Sequence, residues 1–205
     1  MAELAISGLV RHSTCDWPGE LVAVLFTQGC PWSCRYCHNP DLIPARAGTL
    51  PWSEVRAFLD SRRGLLDGVV ISGGEPTLQA ALPAVLAEIR SMGFRTGLHS
   101  AGPYPERLAR VLPLLDWVGF DVKAPFADYA RITGVPGSGL RAQESLRLLQ
   151  ESGVAHALRT TVHPLLLGPG DLDRIGTDLA GMGLPMAELQ PFRAEGCIDT
   201  ELCAT

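Results

Sequence analysis

The sequence predicts an α/β protein, a partial (β/α)6 TIM-type barrel forming a single domain over residues 1–205. Three observations lead there. Short apolar, β-prone runs alternate with helical stretches six times, which calls for a parallel sheet joined by right-handed crossovers. Each run ends in something polar or chemically unusual, and barrel enzymes assemble their sites on that C-terminal rim. At 205 residues with 46 % apolar and 19 % charged residues, the chain can bury one sizeable core. An open sheet fits the count equally well, and the convergence of six unusual strand ends on one site favours the curved form.

The elements follow in order. A short apolar piece, Ile6 to Val10, precedes a turn at Asp16-Trp17-Pro18-Gly19. The run from Leu21 to Thr27 is nearly all apolar, as a strand buried on both faces should be. Pro51-Trp52-Ser53-Glu54 opens a helix through about Arg62, and Gly68 to Ser72 forms the second strand, ending in Gly73-Gly74-Glu75-Pro76. Leu78, Ala81, Leu82, Val85, Leu86 and Ile89 make one helical stripe, with Pro83 tolerable only in the first turn. Strands three to six are expected at Phe94 to His99, Trp117 to Val122, Ala155 to Val162 and Met186 to Gln190. The helices between them are expected at Glu106 to Leu112, Ser138 or Gly139 to Glu151, and Leu172 to Met182.

The loop after the first strand carries Cys30, Cys34 and Cys37 in a C-x3-C-x2-C spacing, followed by His38-Asn39-Pro40. Iron–sulfur clusters are normally closed by four cysteines. Three thiols suit a 4Fe-4S cluster with either a distant fourth ligand or one iron left open for a small molecule. Zinc with Cys3His ligation, through His38 or a distant cysteine, is the alternative, although zinc ribbons usually show two separated C-x2-C pairs. A disulfide or incidental thiols are the remaining reading.

Gly73, Gly74 and Glu75 put permissive backbone and a carboxylate at a strand end, as a tight turn or a ligand cradle would need. Asp121 and Lys123 flank Val122 and share a face, and two opposite charges on an apolar strand read as an active-site pair rather than a rim ion pair. Arg159 and Thr161 also share a face, with Arg159 open to a structural ion pair. His99 and His163 stand at strand ends. Cys197 and Cys203 could hold a second metal with Cys15, though free thiols are the simpler expectation.

Composition excludes several classes. With 17 Lys and Arg against 22 Asp and Glu, net −5, and no basic run, nucleic acid is not an expected partner. No stretch has the length of a membrane span, and Met1-Ala2-Glu3-Leu4 lacks the regions of a signal peptide. A cytoplasmic location is expected, where six cysteines read as metal ligands and free thiols rather than three disulfides.

With these residues in view, the chain resembles the radical S-adenosylmethionine (SAM) enzymes, and among them the glycyl-radical activating enzymes of the anaerobic ribonucleoside-triphosphate reductase group. The resemblance runs nearly the full length. It is carried by Ile6 to Val10, Asp16 to Gly19, Phe26 to Cys30, Cys34 to Pro40, Ser72 to Pro76, Asp121 to Pro125, Arg159 to Val162 and Leu189 to Phe192. It implies the radical SAM fold, with Cys30, Cys34 and Cys37 ligating a 4Fe-4S cluster and SAM chelating the open iron. Tyr36 would lie near the adenine, Gly73, Gly74 and Glu75 would hold the amino group, and Ser100 would sit near the ribose. Asp121, Lys123 and Arg159 would line the polar end of the cofactor. Strand three ends His99-Ser100-Ala101-Gly102 where related activases often have a Thr-Asn-Gly type sequence. The implied reaction is reductive cleavage of SAM to a 5'-deoxyadenosyl radical, fed by a flavodoxin or ferredoxin-type reductant, and hydrogen abstraction from a glycine of a partner enzyme. Within the same superfamily a small-molecule or peptide substrate is the alternative, as in carboxy-deazaguanine synthase or peptide-modifying enzymes. A non-catalytic zinc scaffold is the alternative outside it.

Overall fold

The structure is a computed structural model that describes residues 4–204; the start of the chain at 1–3, read above for a leader, and residue 205 lie outside the described residues. Seven strands form one sheet in sequential order: β1 (Ile6–Ser13), β2 (Val22–Thr27), β3 (Gly68–Gly73), β4 (Arg95–Ser100), β5 (Trp117–Asp121), β6 (Ala155–Val162) and β7 (Glu188–Pro191). From β2 to β7 every pairing is parallel, as the alternating pattern requires. Five of the parallel strands fall within two residues of their expected bounds at each end, and Ala155–Val162 matches at both.

The expected strict alternation of six units needs correcting at both ends. Ile6–Ser13 is a full strand, antiparallel to β2 with two irregularities in register. Its outer residues Val10, Arg11 and His12 are exposed, so it shows no buried run and owes its extended form to the β2 edge. At the other end, among the described residues, β7 is followed only by the one-turn helix α7 (Thr200–Cys203). The main helices are α1 (Trp52–Asp60), α2 (Leu82–Ser91), α3 (Pro105–Val111), α5 (Ser138–Ser152) and α6 (Pro169–Gly181), with a one-turn α4 (Tyr129–Thr133) between β5 and α5. Pro83 sits in the first turn of α2, where its missing N–H costs nothing. Helix α6 begins earlier than its apolar spacing indicated, because Pro169 starts it and Asp171 accepts from the Gly168 N–H at 2.9 Å.

Period-two alternation divides the two faces of the sheet. Ala23, Leu25, Val69, Ile71, Leu98, Val118, Phe120 and Leu158 point outward and join Leu59, Leu86, Ile89, Leu108, Leu146, Leu149, Ile175 and Leu179 of the helices in the main core. Val22, Val24, Val70 and Trp117 point inward and close around Trp17. The Asp16–Gly19 turn thus does more than connect strands: it folds Trp17 into the hollow, stacked on Trp117 with centroids 5.5 Å apart. Gly97 makes the room, since a Cβ there would lie 2.9 Å from the Trp17 ring. Above this apolar plug the inward positions turn polar, with Ser72, His99, Asp121, Arg159 and Thr161 all lining one cavity.

Candidate active site

The cavity, about 200 Å³, lies at the C-terminal ends of β2 to β6. The eleven residues that the resemblance assigns to cluster and cofactor all line it: Cys30, Cys34, Cys37, Tyr36, Gly73, Gly74, Glu75, Ser100, Asp121, Lys123 and Arg159; Cys15, Cys197 and Cys203 do not. Trp32, Asn39, Ile43 and Ala101 also line it without having been singled out as site residues, and so does His38, which the zinc reading offers as a ligand. Only position in the cysteine loop could have flagged Trp32.

The cysteine loop is anchored by backbone. Gly29 N donates to Leu42 O at 2.7 Å, Cys30 N to Ile43 O at 3.0 Å, Gly74 N to Thr27 O at 2.9 Å and Glu75 N to Gly29 O at 2.9 Å. The two glycines serve this close approach. A Cβ on Gly73 would fall 2.2 Å from Thr27 N, and one on Gly74 2.2 Å from Gly29 O. Their partner is therefore the neighbouring strand and loop, one of the two options their permissive backbone allowed.

Glu75 is almost fully buried, and its carboxylate turns into the protein. It accepts from Thr77 N at 3.1 Å, Thr77 Oγ1 at 2.6 Å, Ser100 Oγ at 2.9 Å and Ala101 N at 3.1 Å. Burial raises its pKa despite these four donors, which pull the other way. Ser100 also accepts from Gly102 N at 3.0 Å, so its hydroxyl ties two strand-end loops together.

Asp121 ends β5, and Lys123 stands beyond the strand rather than on it. The Asp121 carboxylate accepts from Arg159 Nη2 at 2.9 Å and Nε at 3.2 Å, with Lys123 Nζ 3.8 Å away. Burial alone would raise Asp121, but Arg159 and Lys123 outweigh it and hold the carboxyl below its ordinary range. The Lys123 ammonium also lies 5.3 Å from the centroid of the buried Tyr36 ring, a cation–π contact. Burial would lower Lys123, yet Tyr36, Cys34 and Asp121 around it hold it well above the ordinary lysine value.

His99 forms the cavity floor. Its Nε2 is 2.8 Å from Asp16 O, which can only accept, so that nitrogen carries the proton and Nδ1 accepts from Ser72 Oγ at 3.2 Å. Burial, and then Arg159 with Nη1 3.4 Å away, push its pKa down to about 4. The stability linked to neutral His99 is complete above its unfolded pKa of about 6.5 and is lost as pH falls toward 4. Between pH 7 and 4.5 the protein is expected to lose about 2–3 kcal/mol that His99→Gln does not lose. Urea titrations of both proteins across that range check it, and parallel curves would contradict it. His163, by contrast, is buried against Phe192 with Nε2 3.1 Å from Leu202 O, and does not line the cavity.

Burial pushes the Cys30 thiol up to about 12 and raises Cys34 too, with Lys123 opposing at both. Among the described residues no three His, Cys, Asp or Glu side chains converge as the ligands of one metal ion do. The Trp32 indole N–H is buried beside the same cavity with no acceptor among the described residues. An unpaired buried donor costs about 1–3 kcal/mol, and a sulfide-bearing cluster offers it an acceptor. The donor set fits a 4Fe-4S cluster.

The radical SAM superfamily model matches residues 24–177, three quarters of the chain. The chain belongs to the radical SAM superfamily. It is a radical SAM oxidoreductase, and its cofactors are a 4Fe-4S cluster and SAM. A putative glycyl-radical enzyme activating enzyme of Methanocaldococcus jannaschii is 29 % identical over 203 residues, 96 % of this chain and 83 % of the relative. Pyruvate formate-lyase-activating enzyme of Staphylococcus aureus is 35 % identical over 146 residues, and the match spans 61 % of this chain and 55 % of that enzyme. Two solved structures share the fold of this radical SAM protein. TYW1 with a lysine–pyruvate adduct has a TM-score of 0.62 at 17 % identity, covering 84 % of this chain and 65 % of that one. The anSMEcpe enzyme with bound AdoMet has 0.65 at 12 %, covering 81 % and 49 %.

Proposed function

We propose that this enzyme installs a glycyl radical in a partner protein, anaerobic ribonucleoside-triphosphate reductase, by abstracting hydrogen from a backbone glycine. The observation that carries this reading is the cavity itself, which gathers the three thiols, the Gly73–Glu75 segment and the Asp121, Lys123 and Arg159 charges at the strand ends. The relative from Methanocaldococcus jannaschii, matched over nearly the whole chain, supports an activating role, and the flanking motifs from Ile6 to Phe192 support the reductase as partner. When bound, the cluster and SAM supply the one-electron cleavage that yields a 5'-deoxyadenosyl radical.

The chain's own residues do the rest. Cys30, Cys34 and Cys37 hold the cluster, and their loss of thiol protons accompanies loading, because coordination requires thiolates. Gly73 and Gly74, packed on Thr27 and Gly29, would form the wall that meets the amino acid end of SAM, with Glu75 holding that segment in place. Lys123 and Arg159 present positive charge to its carboxylate, and Asp121 balances them. Tyr36 and Ser100 shape the nucleoside side. The Trp17 plug and the His99 floor exclude water from below. The reductant is a flavodoxin or ferredoxin-type protein and the setting is cytoplasmic; among the described residues no helix is long and apolar enough to cross a membrane.

The test is anaerobic. Iron- and sulfide-loaded protein with dithionite and SAM should form 5'-deoxyadenosine, and Cys34→Ala should lower this at least a thousandfold. Adding anaerobic ribonucleotide reductase should produce a glycyl radical detectable by electron paramagnetic resonance. Deoxyadenosine without that signal would remove this partner.

A further inference from the structure

Outside the cavity, the C-terminal segment lies over the back of the cysteine loop. Gly196, at φ +80°, packs so closely that a Cβ there would meet His38 O at 2.2 Å, and the Phe192 and His38 rings lie 5.7 Å apart. Arg35, between two cavity cysteines, reaches outward to Asp199 at 2.7 Å and Glu201 at 2.7 Å. Cys197 Sγ donates to the backbone carbonyl of Arg35 at 3.4 Å. Cys203, one turn of α7 further on and exposed, lies 3.6 Å through its sulfur from Cys197 O. The Cys203 sulfur therefore packs directly on the Cys197 residue.

We propose that Cys197 and Cys203 form a redox-active thiol pair that closes to a disulfide under a small-molecule disulfide oxidant and loosens the strap on the cysteine loop. The chemistry is thiol–disulfide exchange. The exposed Cys203 attacks the oxidant R–S–S–R as its thiolate and expels one R–SH, and Cys197 then displaces the second R–SH. Two cysteine thiols are oxidised by two electrons, and the oxidant is reduced to two thiols. Cys203 is exposed and already packs on Cys197, so its side chain is placed to close an S–S bond of about 2 Å. In the disulfide Cys197 has no S–H, so Arg35 O loses its sulfur donor one residue away from Cys34. Formation of the disulfide stands independently of the proposed function, whereas its effect on iron rests on Cys34 and Cys37 being cluster ligands.

The experiment uses the anaerobically loaded protein and oxidised glutathione, followed by N-ethylmaleimide and trypsin. Both cysteines fall in the peptide that begins at Ala194, after the cleavage at Arg193. Wild type is expected to yield that peptide unalkylated and two hydrogens lighter, and Cys203→Ser, which keeps the Cys197 donor, to yield no such species. Oxidised wild type should release iron to a chelator about two- to fivefold faster, the equivalent of one hydrogen bond, with Cys203→Ser unaffected by the oxidant. Two maleimides on the peptide, or a persistent glutathione adduct, would overturn the proposal. Disulfide formation with unchanged iron release would overturn the coupling to the loop.

Discussion

Glu75→Ala is expected to destabilise the protein by about 3–5 kcal/mol, counting 1–3 for each buried donor left without an acceptor. The carboxylate satisfies two backbone amides, Thr77 N and Ala101 N, and two hydroxyls. The hydroxyls of Thr77 and Ser100 can rotate to other acceptors, but the amides are held by the chain. Glu75→Gln is expected to lose roughly half as much, because its shape survives while an NH2 group now faces a donor. Urea denaturation of the metal-free protein measures both, and a Glu75→Ala midpoint equal to wild type would show that the carboxylate does not knit these loops. The position lies just beyond Gly74, which packs against Gly29 O, so damage here spreads directly to the cysteine loop.

The second large effect is expected at Asp121. Removing one member of a buried ion pair typically costs 3–5 kcal/mol because the other charge is left uncompensated. Here Arg159 and Lys123 would both be stranded, with side chains 16 % and 13 % exposed. Asp121 itself is 38 % exposed toward the cavity, so solvent screening reduces the expected loss for Asp121→Ala to about 2–3 kcal/mol. Arg159→Ala in the same background should recover part of it, giving a coupling of about 1–2 kcal/mol in a double-mutant cycle. Strict additivity would mean that the pair seen here contributes nothing specific. On the proposed role of Lys123 and Arg159, Asp121→Ala alone leaves two cations toward SAM without their counter-charge, so affinity for the cofactor and stability of the protein should move in opposite directions. Isothermal titration of SAM into the loaded protein separates the two.

The sequence by itself determined β2, β3 and β5, because strands buried on both faces must be apolar almost throughout and that run is visible without coordinates; the more polar β4, β6 and β7 were legible only from their place in the alternation with helices. It also determined the rim: all eleven residues assigned to cluster and cofactor line one cavity, since in a parallel sheet every C-terminal strand end points the same way. What it left undecided has a common cause. The edge strand Ile6–Ser13 has an exposed outer face, so its conformation comes from the partner it pairs with and not from its own pattern. The one-turn helices Tyr129–Thr133 and Thr200–Cys203 are too short for a helical period to register. Whether Gly74 and Glu75 face the cofactor or the protein, and whether Trp17 turns inward, are matters of contact between residues distant in the chain. Only the fold brings Glu75 to Ala101, Asp16 to His99, and Cys197 to Arg35. Local pattern records which face an element buries, whereas the hydrogen bonds and charges that set the state of each site group arise between elements, and tertiary structure alone decides them.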